Sequence, residues 1–273
     1  MLRRAFAIAV VVVLPTVGYT QSSGSVIPRL SGTWKEDVSK RQIGSERHLV
    51  FRRSAGGTLE ELRGADLRPL VQPVNFTGKP YTFDPGSKNT IAWTQRNAST
   101  FERAIYNEGR LLNTRRIHLS SDNKTLTEDT EFVRPSGGKI LTTVTYRRVS
   151  GDQGLAGRWK PESSKTDTPP QVKYEAVGAN GLKVSTIEDM TTFTVMLDSK
   201  PAPLVGPAVI PGTMVAAKQV NPSTIEITNS REGIETGKST LTLSSDGKTL
   251  TVTDVSFGPT ASKEPSVSVY LKQ

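Results

Sequence analysis

Hydrophobic and polar residues alternate along most of this chain. In Arg115-Arg116-Ile117-His118-Leu119, residues Ile117 and Leu119 share one strand face, and Leu241 and Leu243 repeat those positions. Asp122-Asn123 and Asp246-Gly247 follow, supplying residues that tolerate the positive φ of a tight hairpin. Thr125 to Val133 and Thr249 to Val255 are the Thr/Val-rich returning strands. Arg47 to Arg53, Thr58 to Arg63, Asn89 to Gln95 and Thr100 to Asn107 read as further strands, and Ile140 to Val149 and Ser266 to Gln273 as closing ones. No window sustains a 3.6-residue period at helix length. The expectation is an all-β chain of antiparallel strands forming a barrel or sandwich.

The pattern occurs twice. Leu30-Ser31-Gly32-Thr33-Trp34-Lys35 returns as Leu155-Ala156-Gly157-Arg158-Trp159-Lys160, and Leu119 to Thr127 returns as Leu243 to Thr251. The shift is 125 residues for the first pair and 124 for the second, so spacing inside the unit is preserved. Residues 28–149 are therefore read as repeat 1 and 155–273 as repeat 2. The polar linker 150–154 between them is short enough to keep the two units in contact. Pro201, Pro203, Pro207 and Pro211 predict a loop or lid rather than a central strand, because proline gives the ladder no donor.

Residues 1–20 read as an export signal: Arg3 and Arg4, an apolar run from Ala5 to Pro15, then Thr16, Gly18 and Thr20. No later run is long and apolar enough for a membrane span. The protein is expected to be exported, periplasmic or extracellular, and monomeric. It has no cysteine, which removes disulfides and thiolate chemistry and leaves burial and backbone pairing to hold the fold. Charge is shared unequally: residues 29–149 carry a net +8 and residues 150–273 a net −1. Fifteen arginines lie in the first stretch and only Arg158 and Arg231 in the second, so the repeats are expected to face different partners.

The motifs resemble the calycin superfamily of lipocalins and fatty-acid-binding proteins. More closely, they are similar to small secreted bacterial lipocalin-like domains, which read G-T-W-K, a Lys-Ser pair, S-x-D-G-K-T-L-T and a terminal V-Y-x-K. Gly32-Thr33-Trp34-Lys35, Ser39-Lys40, Asp122 to Thr127 and Tyr146 carry the match in repeat 1. Gly157-Arg158-Trp159-Lys160, Ser164-Lys165, Ser245 to Thr251 and Val269-Tyr270-Leu271-Lys272 carry it in repeat 2. The resemblance implies two tandem antiparallel meander β-barrels of eight to ten strands each. It also implies a structural site in which each motif tryptophan lies beneath a basic residue of the last strand, with Arg148 and Lys272 at the matching positions. It carries no catalytic residues.

Candidate chemistry is sparse. Ser121-Asp122-Asn123-Lys124 has the Ser-x-x-Lys spacing of penicillin-recognising enzymes, but it falls in a hairpin turn and no Lys-Thr-Gly accompanies it. His48 and His118 stand in no ligand spacing, and no metal or cofactor is expected. Glu60-Glu61 and Glu128-Asp129-Glu131 read as solvated charges. Arg103 is the residue singled out. It shares a strand face with Phe101 and Ile105, where repeat 2 has Ile225, Ile227 and Asn229, so an arginine has taken an aliphatic position. Inside a barrel its fork would hold a carboxylate or phosphate; the alternatives are an outward face or an internal glutamate partner.

The expected function is non-enzymatic: a carrier for a small hydrophobic or anionic ligand, with Arg103, Phe101 and Ile105 against it. The alternative is an interaction module on which the arginines of repeat 1 attach to an anionic surface polymer. Export and the lack of interleaved aromatic residues argue against a nucleic-acid partner.

Overall fold

Strands form nearly everywhere that alternation predicts them. The computed structural model describes residues 24–44, 48–63, 70–82, 88–134, 138–151, 153–187, 190–207, 209–261 and 264–273; the expected export signal, residues 1–20, lies outside them. One helical turn, α1 (Ile27–Leu30), leads into β1 (Gly32–Glu36). The chain continues through β2 (Leu49–Arg53), β3 (Leu59–Arg63), β4 (Leu70–Pro73), β5 (Asn89–Gln95), β6 (Thr100–Asn107), β7 (Arg110–Leu119), β8 (Thr125–Val133), β9 (Lys139–Ser150) and β10 (Gly157–Thr166). Then follow β11 (Gln171–Val177), β12 (Gly181–Thr186), β13 (Thr191–Met196), β14 (Ala202–Pro203), β15 (Thr213–Asn221), β16 (Thr224–Arg231), β17 (Ile234–Leu243), β18 (Thr249–Ser256) and β19 (Ser266–Lys272).

These strands build two antiparallel barrels. In the first, nine strands run in the order β4-β3-β2-β10-β9-β8-β7-β6-β5; in the second, ten run β13-β12-β11-β1-β19-β18-β17-β16-β15-β14. Isolated bridges bring the ends of each sheet together. Thr77 pairs with Thr94 and Tyr81 with Ile91 in the first, and Thr192 pairs with Val205 in the second. The proline-rich stretch after Lys200 is irregular apart from β14, and in that form it closes the second barrel.

Barrels and sequence repeats are not the same units. β1, which carries the Gly-x-Trp motif of repeat 1, pairs with β11 and β19 of repeat 2. β10, which carries the motif of repeat 2, pairs with β2 and β9 of repeat 1. The first barrel is thus the continuous stretch 49–166, inserted between β1 and the remainder of the second barrel. Trp34 packs in a core with Val172, Tyr174, Leu182 and Leu250, whereas Trp159 packs with Leu49, Phe51, Ile117 and Leu126. The short linker explains the exchange. β9 and β10 pair antiparallel as the arms of a hairpin, which holds β10 against its own predecessor. A strand bearing nearly the same motif, β1, fills the place left in the other barrel.

The chain passes between the barrels after Glu36 and after Thr166, and the first passage is anchored. Gln42 pairs with Val267, and the Gly44 N–H donates to Ser266 Oγ at 3.1 Å. Arg158 on β10 donates through Nη1 to Pro259 O at 2.7 Å and through Nη2 to Ala261 O at 3.3 Å. Its Nε donates to Nδ1 of His48, whose backbone N–H donates to Thr260 O. Burial first, then the charges of Arg158 and Lys160, hold the His48 imidazole below its ordinary range, in line with a ring nitrogen that accepts from Arg158.

Candidate functional site

The two motif tryptophans close one end of each barrel in the same way. Trp34 Nε1 donates to Leu30 O at 2.7 Å and Trp159 Nε1 to Leu155 O at 3.0 Å. Arg148 lies over Trp159, its Cζ 4.0 Å from the ring centroid, and Lys272 Nζ lies 5.3 Å from that of Trp34. Each cation belongs to the other sequence repeat than its tryptophan, a consequence of the exchanged strands. The motif glycines make room for these cations. A Cβ on Gly157, whose φ is +149°, would meet Ser150 O at 2.4 Å and Arg148 Nη1 at 2.8 Å; one on Gly32 would meet Lys272 Cε at 3.1 Å. Arg148 also donates to the carbonyls of Asn123, Gly154 and Ala156, so this end is built for rigidity.

Further along the first barrel the interior turns polar. β6 presents Phe101, Arg103 and Ile105 inward, and Arg103 is only 4% exposed. Its Nη1 lies 3.2 Å from Oε2 of Glu61, which is 2% exposed on β3. Of the three arrangements open to Arg103 in the sequence, the structure thus shows the internal glutamate pair. The other Glu61 oxygen accepts from Arg115 Nη1 at 2.7 Å, and Arg115 Nε lies 3.2 Å from Oε1 of Glu128 on β8. Thr130 Oγ1 donates to that same Glu128 oxygen at 3.2 Å. Burial opposes the charge on Arg115, yet Glu128 and Glu61 hold its guanidinium above the ordinary range. Glu61 and Glu128, expected in solvent, are therefore buried counter-charges. The outward residues of the same acidic clusters, Glu60 and Asp129, carry ordinary pairs with Arg52 and Thr143.

The pairing register identifies the equivalent positions of the second barrel. Phe51 faces Glu61 and Glu61 faces Gln72, while Tyr174 faces Val184 and Val184 faces Phe193. Trp93, Arg103 and Arg115 follow one another across three strands, as do Ala217, Ile227 and Ser239. Ile117 faces Glu128 where Leu241 faces Val252. The layer Glu61, Gln72, Trp93, Arg103, Arg115, Glu128 thus corresponds to Val184, Phe193, Ala217, Ile227, Ser239, Val252. At these positions one barrel carries four charged side chains, and the other carries apolar residues and a serine.

The polar layer is incompletely satisfied. Gln72 is fully buried, and neither its Nε2 nor its Oε1 has a hydrogen-bond partner among the described residues. The same holds for Trp93 Nε1, Asn113 Oδ1 and Glu128 Oε2. A buried polar group left in this state costs about 1–3 kcal/mol. Phe51 and Phe76 stand edge-on to Trp93 at 6.1 and 6.2 Å, and Tyr81, its phenol pushed up to about 12 by burial, donates to Pro73 O beside them. The sequence signal for part of this set was present. Arg115 alternates in phase with Ile117 and Leu119, and Glu128 with Leu126. Gln72, in a four-residue strand, carried no such signal.

Each barrel also has a groove on its outer face. The first, of about 410 Å³, has Ala92, Thr94, Ala104 and Thr114 in its floor, with Arg96 and Arg116 at the rim sharing Glu102 at 2.6 and 2.9 Å. The second, of about 400 Å³, lies at the equivalent strands around Ala216, Thr228 and the Lys218–Glu226 pair. His118 is exposed beside Thr100, and among the described residues no cluster of His, Asp or Glu is placed to hold a metal ion. No described helix is long and apolar enough to cross a membrane. Comparison of the chain with protein-family models, curated proteins and solved structures returned no match.

Proposed function

We propose that the chain is an exported, non-enzymatic binding protein of lipocalin-like type, whose first barrel holds a small ligand while the second is its structural partner. One observation carries this reading: the same fold is built twice, and only one copy keeps a charged layer at these buried positions. Replacing a buried ion network by well-packed apolar residues is often neutral or stabilising, so stability alone gives no reason to retain one. The second barrel demonstrates that the strands close without it. The side chains against the ligand are those of the polar layer, with Phe101 and Ile105 flanking Arg103. Native mass spectrometry of the mature protein, purified without detergent, tests the reading. A retained mass that leaves on denaturation, and is absent from a chain whose layer carries the second barrel's residue types, supports it; equal behaviour of the two chains contradicts it.

The groove beside Arg96 and Arg116 favours a second reading, attachment to an anionic surface polymer. Arg96 and Arg116 there share the Glu102 carboxylate, with Asp129 and Glu131 also lining the groove. Such attachment would weaken steeply with ionic strength, whereas a ligand inside the barrel would be far less sensitive to salt. Several other exposed cations of the first barrel are already paired with acids, including Arg52 with Glu60, Arg147 with Glu162 and Lys139 with Glu131.

A further inference from the structure

The geometry points to a definite ligand chemistry, and here we infer that the first barrel takes a small uncharged molecule carrying both hydrogen-bond donors and acceptors, a carboxamide or a polyol, with Gln72 as its principal contact. The inference rests on the reading of that barrel as the ligand-holding one.

Two features select an uncharged guest. The layer carries two arginines and two glutamates already joined in one chain, Arg103 to Glu61 to Arg115 to Glu128. The joined charges cancel, and a further ion would enter a buried site with no counter-charge left for it. An anion held by Arg103, the expectation from sequence, would have to displace Glu61 first.

The second feature is the set of atoms left over. Among the described residues, Gln72 Nε2 and Trp93 Nε1 are donors without partners; Gln72 Oε1, Asn113 Oδ1 and Glu128 Oε2 are acceptors without partners. All belong to residues with inward-facing side chains on the walls of one barrel, and Gln72 and Trp93 are fully buried. Donors and acceptors lining one interior call for a guest that offers both, as an amide or a hydroxyl does. Gln72 presents the complement of a primary amide within a single side chain. Phe51 and Phe76 pack against Trp93, and Phe76 against Phe101, so the probes are chosen small. The second barrel has Phe193 in place of Gln72 and Ala217 in place of Trp93, so these positions offer no equivalent site there.

The test is carried out on the full mature chain by following the Gln72 side-chain amide and the Trp93 indole N–H in nitrogen–proton correlation spectra, assigned with Gln72→Leu and Trp93→Phe. Acetamide and glycerol are the uncharged probes, acetate and methylammonium the charged ones. The expected result is a saturable shift of both resonances with acetamide or glycerol, at least tenfold weaker with either ion. Gln72→Leu should then weaken binding of the uncharged probe at least tenfold, and if that variant does not fold, Trp93→Phe supplies the same comparison. Preferential response to acetate would overturn the uncharged class while leaving the first barrel as a binding site. No response to any probe, with both groups contacting long-lived water instead, would overturn the ligand site itself, since bound water would then be the whole answer to the unpaired atoms.

Discussion

The two barrels share strand order, turn chemistry and a cation over a tryptophan, yet differ most in the layer between their ends. Glu61, Arg103, Arg115 and Glu128 in one stand where Val184, Ile227, Ser239 and Val252 stand in the other. A fold that tolerates both fillings does not need the charged one. The strands nevertheless interlock the two units, since each barrel borrows its Gly-x-Trp strand from the other repeat. Divergence of the interiors therefore took place on a scaffold in which the first barrel is one continuous stretch and the second depends on a strand from the far side of it. This distinguishes what the fold requires, tryptophan and its cation in each barrel, from what one barrel alone carries.

The largest expected effect breaks the comparison at its scaffold. Removing residues up to Glu36 takes Trp34 and β1 away from β11 and β19, so the second barrel should lose its fold while the continuous first barrel persists. Residue-resolved hydrogen exchange measures this directly. Loss of protection in 49–166 rather than in 171–273 would contradict the exchanged strands.

Next in size is the charged layer. Glu61→Val, which installs the residue type of the second barrel, leaves Arg103 and Arg115 without their shared carboxylate and should cost roughly 3–5 kcal/mol in denaturant unfolding. Replacing all four residues together by Val, Ile, Ser and Val should be close to neutral, or stabilising by about 1–4 kcal/mol. The contrast between one substitution and four is the informative quantity. A fourfold variant as unstable as the single one would mean that the charges are required by the first barrel's packing.

Much of this was legible in the chain, but unevenly. Alternation located the strands and put Phe101, Arg103 and Ile105 on one face, because a period of two survives any arrangement of neighbours. The repeat located two barrels. It did not locate which barrel each Gly-x-Trp strand enters, since two nearly identical strands satisfy either vacancy and only the tight β9–β10 hairpin decides. Nor did it pair Arg103 with Glu61. That contact joins residues 42 positions apart, and in Glu60-Glu61 the sequence marks two neighbours without saying which one points inward. The acidic clusters read as solvent-facing because charge usually is; here the arginines on facing strands reverse that preference.

The closed ends should differ by less. Arg148 stacks at 4.0 Å and donates to three carbonyls, whereas Lys272 lies at 5.3 Å and donates to the single carbonyl of Arg29. Arg148→Ala is expected to destabilise the first barrel by about 3 kcal/mol and Lys272→Ala the second by about 1 kcal/mol. Equal losses in the two unfolding curves would mean that the carbonyl contacts add nothing to the stacked pair.

The smallest effect sharpens the comparison from the other side, through a carboxylate that the second barrel keeps in its wall. Asp254 takes the place that Thr130 has in the first barrel, and Ser239 Oγ donates to it at 2.5 Å. Burial raises its pKa above the ordinary 3.8, the Ser239 hydrogen bond works against that rise, and the charge of Glu36 adds to it. The folded chain therefore holds this proton more tightly than the unfolded chain does. Stability of the second barrel is greatest below pH 3.8 as far as this group is concerned, and declines as the pH rises through the interval up to the folded value. At neutral pH the carboxylate is a net cost, so Asp254→Asn should stabilise the second barrel by no more than about 1 kcal/mol, the scale of one hydrogen bond exchanged for another. The same substitution should flatten the second barrel's stability as the pH rises from 3.8 towards neutrality, and leave the first barrel's pH profile untouched. Parallel profiles for the wild-type chain and the Asp254→Asn variant would remove Asp254 as the source of that slope.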